Sequence, residues 1–259
     1  MRLKAIIRYD GTFFSGYQVQ PKGRTVQGVI EKVLTKMHKG NHVRVTGSGR
    51  TDKGVHALGQ VIHFDTELEI PPENWLRALN TMLPDDLEFV SITDVPDDFH
   101  VRYDVSEKEY RYYILNSKEK DLFRRHYTHF VKGDLDLGAM SKASQHFLGS
   151  HDFTSFCSAN NDVKADKVRT ITDIAIEQEE ENIILRVKGT GFLYNMVRII
   201  VGTLIDIGLG NREPEEIIEI IAARDRSKAS KTAPPQGLYL WEVSYNKKST
   251  ERSPSDEMN

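Results

Sequence analysis

Thr25-Val26-Gln27-Gly28-Val29-Ile30-Glu31-Lys32-Val33-Leu34-Thr35-Lys36-Met37-His38-Lys39-Gly40 carries the clearest local signal in the chain. Val26, Val29, Ile30, Val33, Leu34 and Met37 recur at helical spacing, Thr25 is placed to cap the first turn, and Gly40 supplies the stop. Upstream, Leu3, Ala5, Ile7 and Tyr9 alternate with polar or outward positions and run into Asp10-Gly11, which reads as a strand and a turn. Downstream, His42 to Thr46 and Gln60 to Thr66 read as strands. Trp75, Leu76, Leu79, Met82 and Leu83 form a helical stripe behind Pro71-Pro72, and Leu87 to Val95 is a strand. The order β-α-β-β-α-β is that of the ferredoxin-like split unit, an antiparallel sheet with both helices on one face.

The second half reads as a rough copy with inserted loops. Glu109 to Leu115 is a strand, a helix lies near Leu137 to Leu148, and strands run at Thr170–Ile176 and Ile183–Lys188. Helices follow at Phe192–Ile207 and Pro214–Ala223, and a last strand runs from Leu238 to Tyr245. The expected fold class is therefore α+β: two ferredoxin-like halves, 1–105 and 106–246, joined along one edge of a mostly antiparallel sheet with a cleft between them. The charged, Ser-rich tail, 247–259, is expected to be disordered.

Composition narrows the chemistry. With 259 residues, 39% hydrophobic and 28% charged, the chain is an ordinary globular protein with no run of about 20 apolar residues for a membrane span. The N-terminus enters directly as a strand and lacks the pattern of a secretory signal, which points to the cytoplasm. The single Cys157 excludes an intrachain disulfide and a cysteine-only zinc cage. A net charge of −3 argues mildly against a strongly basic nucleic-acid binder. Charge is segregated along the chain, however: basic residues cluster at Lys22/Arg24, Lys118/Lys120/Arg124/Arg125 and Lys164/Lys167/Arg169, and acidic ones at Glu177–Glu181 and Glu213–Glu219.

Three segments carry candidate chemistry. The first, Gly47-Ser48-Gly49-Arg50-Thr51-Asp52-Lys53-Gly54-Val55-His56-Ala57-Leu58-Gly59-Gln60, is too long and polar for a hairpin turn and sets a phosphate-pairing cation, Arg50, beside the carboxylate of Asp52. A glycine-rich turn with a local ion pair is the plainer alternative. The second, Gly191 to Leu204, is a helix apolar on most sides, with Asn195, Arg198, Gly202 and Asp206 in one polar stripe. A guanidinium there needs an anion; Asp52 is the expected partner and Asp206 the structural alternative. In the third, Tyr110-Arg111-Tyr112-Tyr113, strand alternation puts Tyr110 and Tyr112 on one face, available to stack on a base or to pack in a core.

Together these segments closely resemble the tRNA pseudouridine synthase A family over nearly the whole chain. The matching stretches are Tyr9-Asp10-Gly11-Thr12, Gly16-Tyr17-Gln18, Gly49-Arg50-Thr51-Asp52 through Gln60-Val61, Phe99-His100, Lys108 through Tyr112, Asp152-Phe153-Thr154-Ser155-Phe156, Gly191 through Leu204, and Ala233-Pro234 to Leu240. The resemblance implies an isomerase acting without cofactor or metal on uridines 38, 39 and 40 of the tRNA anticodon arm, as a homodimer. By the same resemblance Asp52 is the catalytic aspartate, Arg50 holds the place of the flipped nucleotide, Tyr110 stacks on the uracil, and Arg198 pairs with Asp52. Lys22, Arg24, Lys53, His56, Lys164, Lys167 and Arg169 are the expected RNA contacts. Tyr17 stands where the family usually has Trp, and Val101 and Asp104-Val105 replace its usual small residues.

Two other readings are a metal-dependent hydrolase using His56, His63, Asp65, His151 and Asp152, and a non-catalytic RNA-binding module. The first lacks any specific ligand spacing, and the second gives Asp52 no use.

Overall fold

A computed structural model describes residues 1–158 and 166–246, which divide into two units: Met1–Ser106 together with the chain from Leu240 onward, and Glu107–Tyr239. The tail from 247 and Lys164 lie outside the described residues.

In the first unit the alternation at the N-terminus becomes strand β1 (Arg2–Tyr9), which buries Leu3, Ala5, Ile7 and Tyr9. It pairs antiparallel with β3 (His56–Asp65) on one side and β4 (Leu87–Val95) on the other, and short β2 (Thr46–Gly47) pairs antiparallel with the outer edge of β3. This is the strand order of the split unit. Helix α1 (Val26–Met37) has the expected bounds, with the Thr25 hydroxyl accepting from Gly28 N–H at 3.2 Å and Val26, Ile30, Val33 and Leu34 buried. Helix α2 (Pro72–Met82) starts on proline and buries Trp75, whose ring meets Phe64 of β3 at 5.7 Å between centroids. Each such side chain removed from water contributes about 1.5–3 kcal/mol.

The expected strand at His42 to Thr46 shrinks to Thr46–Gly47. Val43 and Val45 are buried as strand residues would be, but the backbone of Val45 bonds to helix α1: its N–H donates to Glu31 at 3.0 Å and its carbonyl accepts from Gln27 at 3.2 Å. Side chains have taken the place of ladder partners.

The second unit is a mostly antiparallel sheet in the order β5 (Val105–Asn116), β9 (Asn182–Gly189), β8 (Val168–Glu179), β7 (Gly149–Asp152), with a three-residue β6 (His129–Val131) running parallel to β5. Its helices are α3 (Leu137–Gln145), α4 (Met196–Gly208) and α5 (Glu216–Ala223). Helix α4 begins four residues later than its apolar pattern, because Asn195 has a left-handed backbone, φ 61°, which a right-handed helix cannot include. The final strand, β10 (Leu238–Tyr245), has the expected bounds. Its assignment to the second half needs correction, since from Leu240 it groups with the first unit. There it neighbours β3, and Gly59 of β3 has no Cβ to collide with the carbonyl of Trp241.

Helix α4 is crossed by the segment Ser230–Pro234. Ser230 N–H donates to the Thr203 hydroxyl at 3.3 Å, Ala233 N–H donates to the Arg198 carbonyl at 3.0 Å, and the carbonyl of Lys231 fills the space a Cβ on Gly202 would need. Gly202→Ala tests this packing. On helix propensity alone the change stabilises by about 1 kcal/mol; we expect instead a loss exceeding ~1 kcal/mol in urea unfolding, because backbone must move to admit the methyl.

Candidate active site

Asp52 lies in the loop that joins β2 to β3, and the first unit holds that loop from below. Ser48 N–H donates to the Val61 carbonyl at 2.8 Å and its hydroxyl to Gln60 Oε1 at 2.6 Å, while Gln60 Nε2 donates to the Gly49 carbonyl at 3.0 Å. Thr51 is tied twice, its hydroxyl 2.8 Å from that of Tyr9 and its carbonyl accepting from Tyr17 N–H at 3.0 Å. Ser48 and Thr51 are buried, Arg50 and Lys53 are exposed, and Asp52 is half-buried. The turn closes with Val55 N–H donating to the Asp52 carbonyl at 3.1 Å.

The segment after β1 completes the grip. Gly11 lies so close to the loop that a Cβ would overlap the Val55 carbonyl, and its N–H donates to Nδ1 of the buried His56 at 3.0 Å. That nitrogen is also 3.2 Å from the Asp10 carboxylate. The stretches Tyr9-Asp10-Gly11 and Gly16-Tyr17, far from Asp52 in sequence, are thus its structural floor.

In the second unit Tyr110 lies on β5 opposite Val187 of β9, 8% exposed, with its ring edge-on to Phe192 at 5.1 Å. Tyr112 shares its strand face but is wholly buried, its hydroxyl donating to the Pro234 carbonyl at 2.8 Å. Burial raises the Tyr112 phenol far above the usual tyrosine range, opposed by the Arg198 cation. Arg198, in the first turns of α4, donates through Nε to the Ala233 carbonyl at 2.7 Å and through a terminal nitrogen to Asn195 Oδ1 at 2.9 Å. Asn195 in turn donates to the Ser158 hydroxyl at 2.9 Å. The guanidinium is therefore oriented by the crossing segment and by the residue that starts the helix.

Residues 5–104 and 143–246 match the family model described as tRNA pseudouridine synthase. A tRNA pseudouridine synthase A from Oceanobacillus iheyensis is 53% identical over 94% of this chain and 96% of its own length. Proteins of that name from Listeria monocytogenes, 55% identical, and, as tRNA pseudouridine synthase A 1, from Bacillus cereus, 54% identical, match over 94% and 95% of this chain and 99% of theirs. The chain belongs to the tRNA pseudouridine synthase A family. The family match takes in the Asp52 loop and the Arg198 helix; Tyr110 falls between its two segments.

The basic residues expected to meet RNA in this chain are placed unevenly. Lys22 and Lys53 are exposed and Lys167 is half-buried. Arg169 donates to the carbonyls of Asp166 and Val168 at 3.1 and 2.6 Å. Arg24 makes a two-pronged pair with Asp86, 2.6 and 2.7 Å, with its guanidinium 4.0 Å over the Phe14 ring. It joins two parts of the first unit as well as reaching the surface. His56 is 2% exposed, and its Nδ1 accepts from Gly11 N–H.

The side chains weighed for a metal are engaged with protein. His63 accepts from Val101 N–H at 3.2 Å, and Asp65 takes a two-pronged bond from Arg2, 2.8 and 2.9 Å. His151 bonds the Leu148 carbonyl at 2.8 Å, and Asp152 accepts from Thr154. Among the described residues no group of three or more His, Cys, Asp or Glu is placed to hold a metal ion, and no helix is long and apolar enough to cross a membrane.

Burial pushes His63 down to about 4, with Arg2 and His100 acting in the same direction. Between about 4 and the free value near 6.5, the unfolded chain binds a proton that the folded chain does not. Stability therefore rises with pH across that window and the contribution is lost on acidification. Urea unfolding at pH 5 and 7.5 measures it. His63→Gln is expected to show a pH dependence smaller by on the order of 1–3 kcal/mol than the parent.

Proposed function

We propose that this chain isomerises uridines 38, 39 and 40 of the tRNA anticodon stem-loop to pseudouridine, with Asp52 as the catalytic nucleophile. The observation that carries the assignment of Asp52 is the way its loop is held. Buried bonds secure Ser48, Gly49 and Thr51, while Arg50 stays exposed and Asp52 is half-buried. A loop so firmly based, presenting an anion next to a cation, suits a reaction that needs one carboxylate and a grip on a phosphate backbone. The family relationship supplies the substrate class.

The isomerisation breaks the bond from C1′ to N1, turns the uracil, and forms a bond from C1′ to C5, from which a proton leaves. The proton lost from C5 is matched by one gained at N1, so the composition is unchanged, no electrons are gained or lost, and the reaction is read as needing no cofactor. The target nucleotide must first leave its stack at a cost of a few kcal/mol, which phosphate contacts offset. In this reading Arg50 takes the place of the everted nucleotide, Tyr110 stacks on the uracil, and Arg198 pairs with Asp52 and keeps it ionised. The homodimer and the RNA contacts at Lys22, Lys53 and Lys167 belong to the same proposal.

Purified protein incubated with unmodified tRNA tritiated at uracil C5 should release label, undiminished by chelator. Asp52→Ala should abolish release, and Arg198→Ala should remove most of it. Modification of the substrate tRNA should map to positions 38–40. Label release by Asp52→Ala at the parental rate, or modification outside the anticodon arm, refutes the corresponding part of the assignment.

A further inference from the structure

Beneath the Asp52 loop lies a chain of polar side chains that the proposed reaction does not itself use. Gln60 is fully buried on β3 and serves as its hub. Its Oε1 accepts from the Ser48 hydroxyl at 2.6 Å, its Nε2 donates to the Gly49 carbonyl at 3.0 Å, and it interacts with the Tyr9 hydroxyl. Tyr9, 5% exposed, lies 2.8 Å from the Thr51 hydroxyl, and Thr51 is the residue immediately before Asp52. The chain continues from Ser48 to Tyr245 on β10, whose hydroxyl donates to the Val101 carbonyl at 2.7 Å. Burying so many polar groups is costly unless each is satisfied, and an apolar floor would hold a loop at lower cost. What the polar floor adds is direction. A hydrogen bond fixes distance and angle, whereas an apolar contact lets a glycine-flanked loop slide.

We propose that Tyr9 and Gln60 are positioning residues for Asp52, their buried side chains fixing Ser48, Gly49 and Thr51 so that the carboxylate is already in its reactive place before RNA arrives. This rests on the reading of Asp52 as the catalytic group. The bonds described here hold Ser48, Gly49 and Thr51, the residues leading into Asp52, so their influence is on where the carboxylate sits and not on how strongly tRNA binds. Removing one hydroxyl from it should appear in kcat, and removing a second on the same bond should add nothing.

The test is tritium release from C5-labelled tRNA at varied tRNA concentration for Tyr9→Phe, Thr51→Val, the double variant and Thr51→Ser, with thermal melts to show each folded at the assay temperature. Both single changes nearly preserve shape, and Thr51→Ser keeps the hydroxyl. Each single loss is expected to lower kcat about 10- to 100-fold, with KM within about threefold of the parent. The double variant should be no slower than the worse single, and Thr51→Ser should recover most of the lost kcat. Parental kcat in both singles, a loss confined to KM, or a double variant as slow as the product of the two single effects overturns the proposal. Gln60→Leu, which strands both the Ser48 hydroxyl and the Gly49 carbonyl, should be slower still if it melts above the assay temperature. Asp52→Ala run alongside separates the two levels. If it turns over like the parent, the reading of Asp52 fails and this inference with it; if it is dead while Tyr9→Phe and Thr51→Val are unimpaired, only the positioning role fails.

Discussion

The register between β1 and β3 is the constraint on which the first unit depends. Pairing runs antiparallel from Arg2 against Asp65 to Ile7 against Gln60, then shifts so that Tyr9 stands against Ala57. Side chains alternate faces along a strand, so a slip of one residue would turn Leu3, Ala5 and Ile7 out to water. The irregularity between Ile7 and Tyr9 leaves the phenol of Tyr9 buried while setting it within reach of Thr51 and Gln60. Burial pushes that phenol up to about 12, with its hydrogen bonds working in the opposite sense, so it stays protonated as a donor over the whole physiological range. Core packing and loop placement are in this way set by the same few backbone pairings.

The second unit solves a related problem with different means. Its cation is mounted on a helix that is buried nearly all round. A crossing segment supplies an acceptor. The carbonyl of Ala233 receives the Nε proton of Arg198, the carbonyl of Pro234 receives the Tyr112 proton, and Gly202 permits the approach that makes both possible. Two hydrogen bonds of Arg198 go to Ala233 and Asn195.

Much of this was legible because local rules dominate. Thr25 and the stripe from Val26 to Met37 gave α1 its bounds, and proline at the start did the same for α2. The family motif singled out Asp52 and carried Tyr9, Gly11 and Gln60 with it, but nothing local distinguishes a buried Gln60 from a surface one. That depends on which strand lies against which. His56 shows the same limit: a histidine in a polar loop reads as a surface group, yet here it is buried with Gly11 N–H and the Asp10 carboxylate at its Nδ1. The strand expected at His42 to Thr46 is shorter because the backbone of Val45 bonds to the side chains of Gln27 and Glu31, a substitution that strand alternation cannot reveal. The late start of α4 has its cause in one backbone angle at Asn195, to which apolar periodicity is blind.

The return of β10 to the first unit has a consequence for synthesis. Domains generally fold as units in the order in which the ribosome releases them. Here the first unit cannot place β10 beside β3 until the segment from Leu240 has been made, which comes after all of Glu107–Tyr239. The stretch of β3 around Gly59, which follows directly on the Asp52 loop, therefore waits for the neighbour that β10 provides until Glu107–Tyr239 has been made.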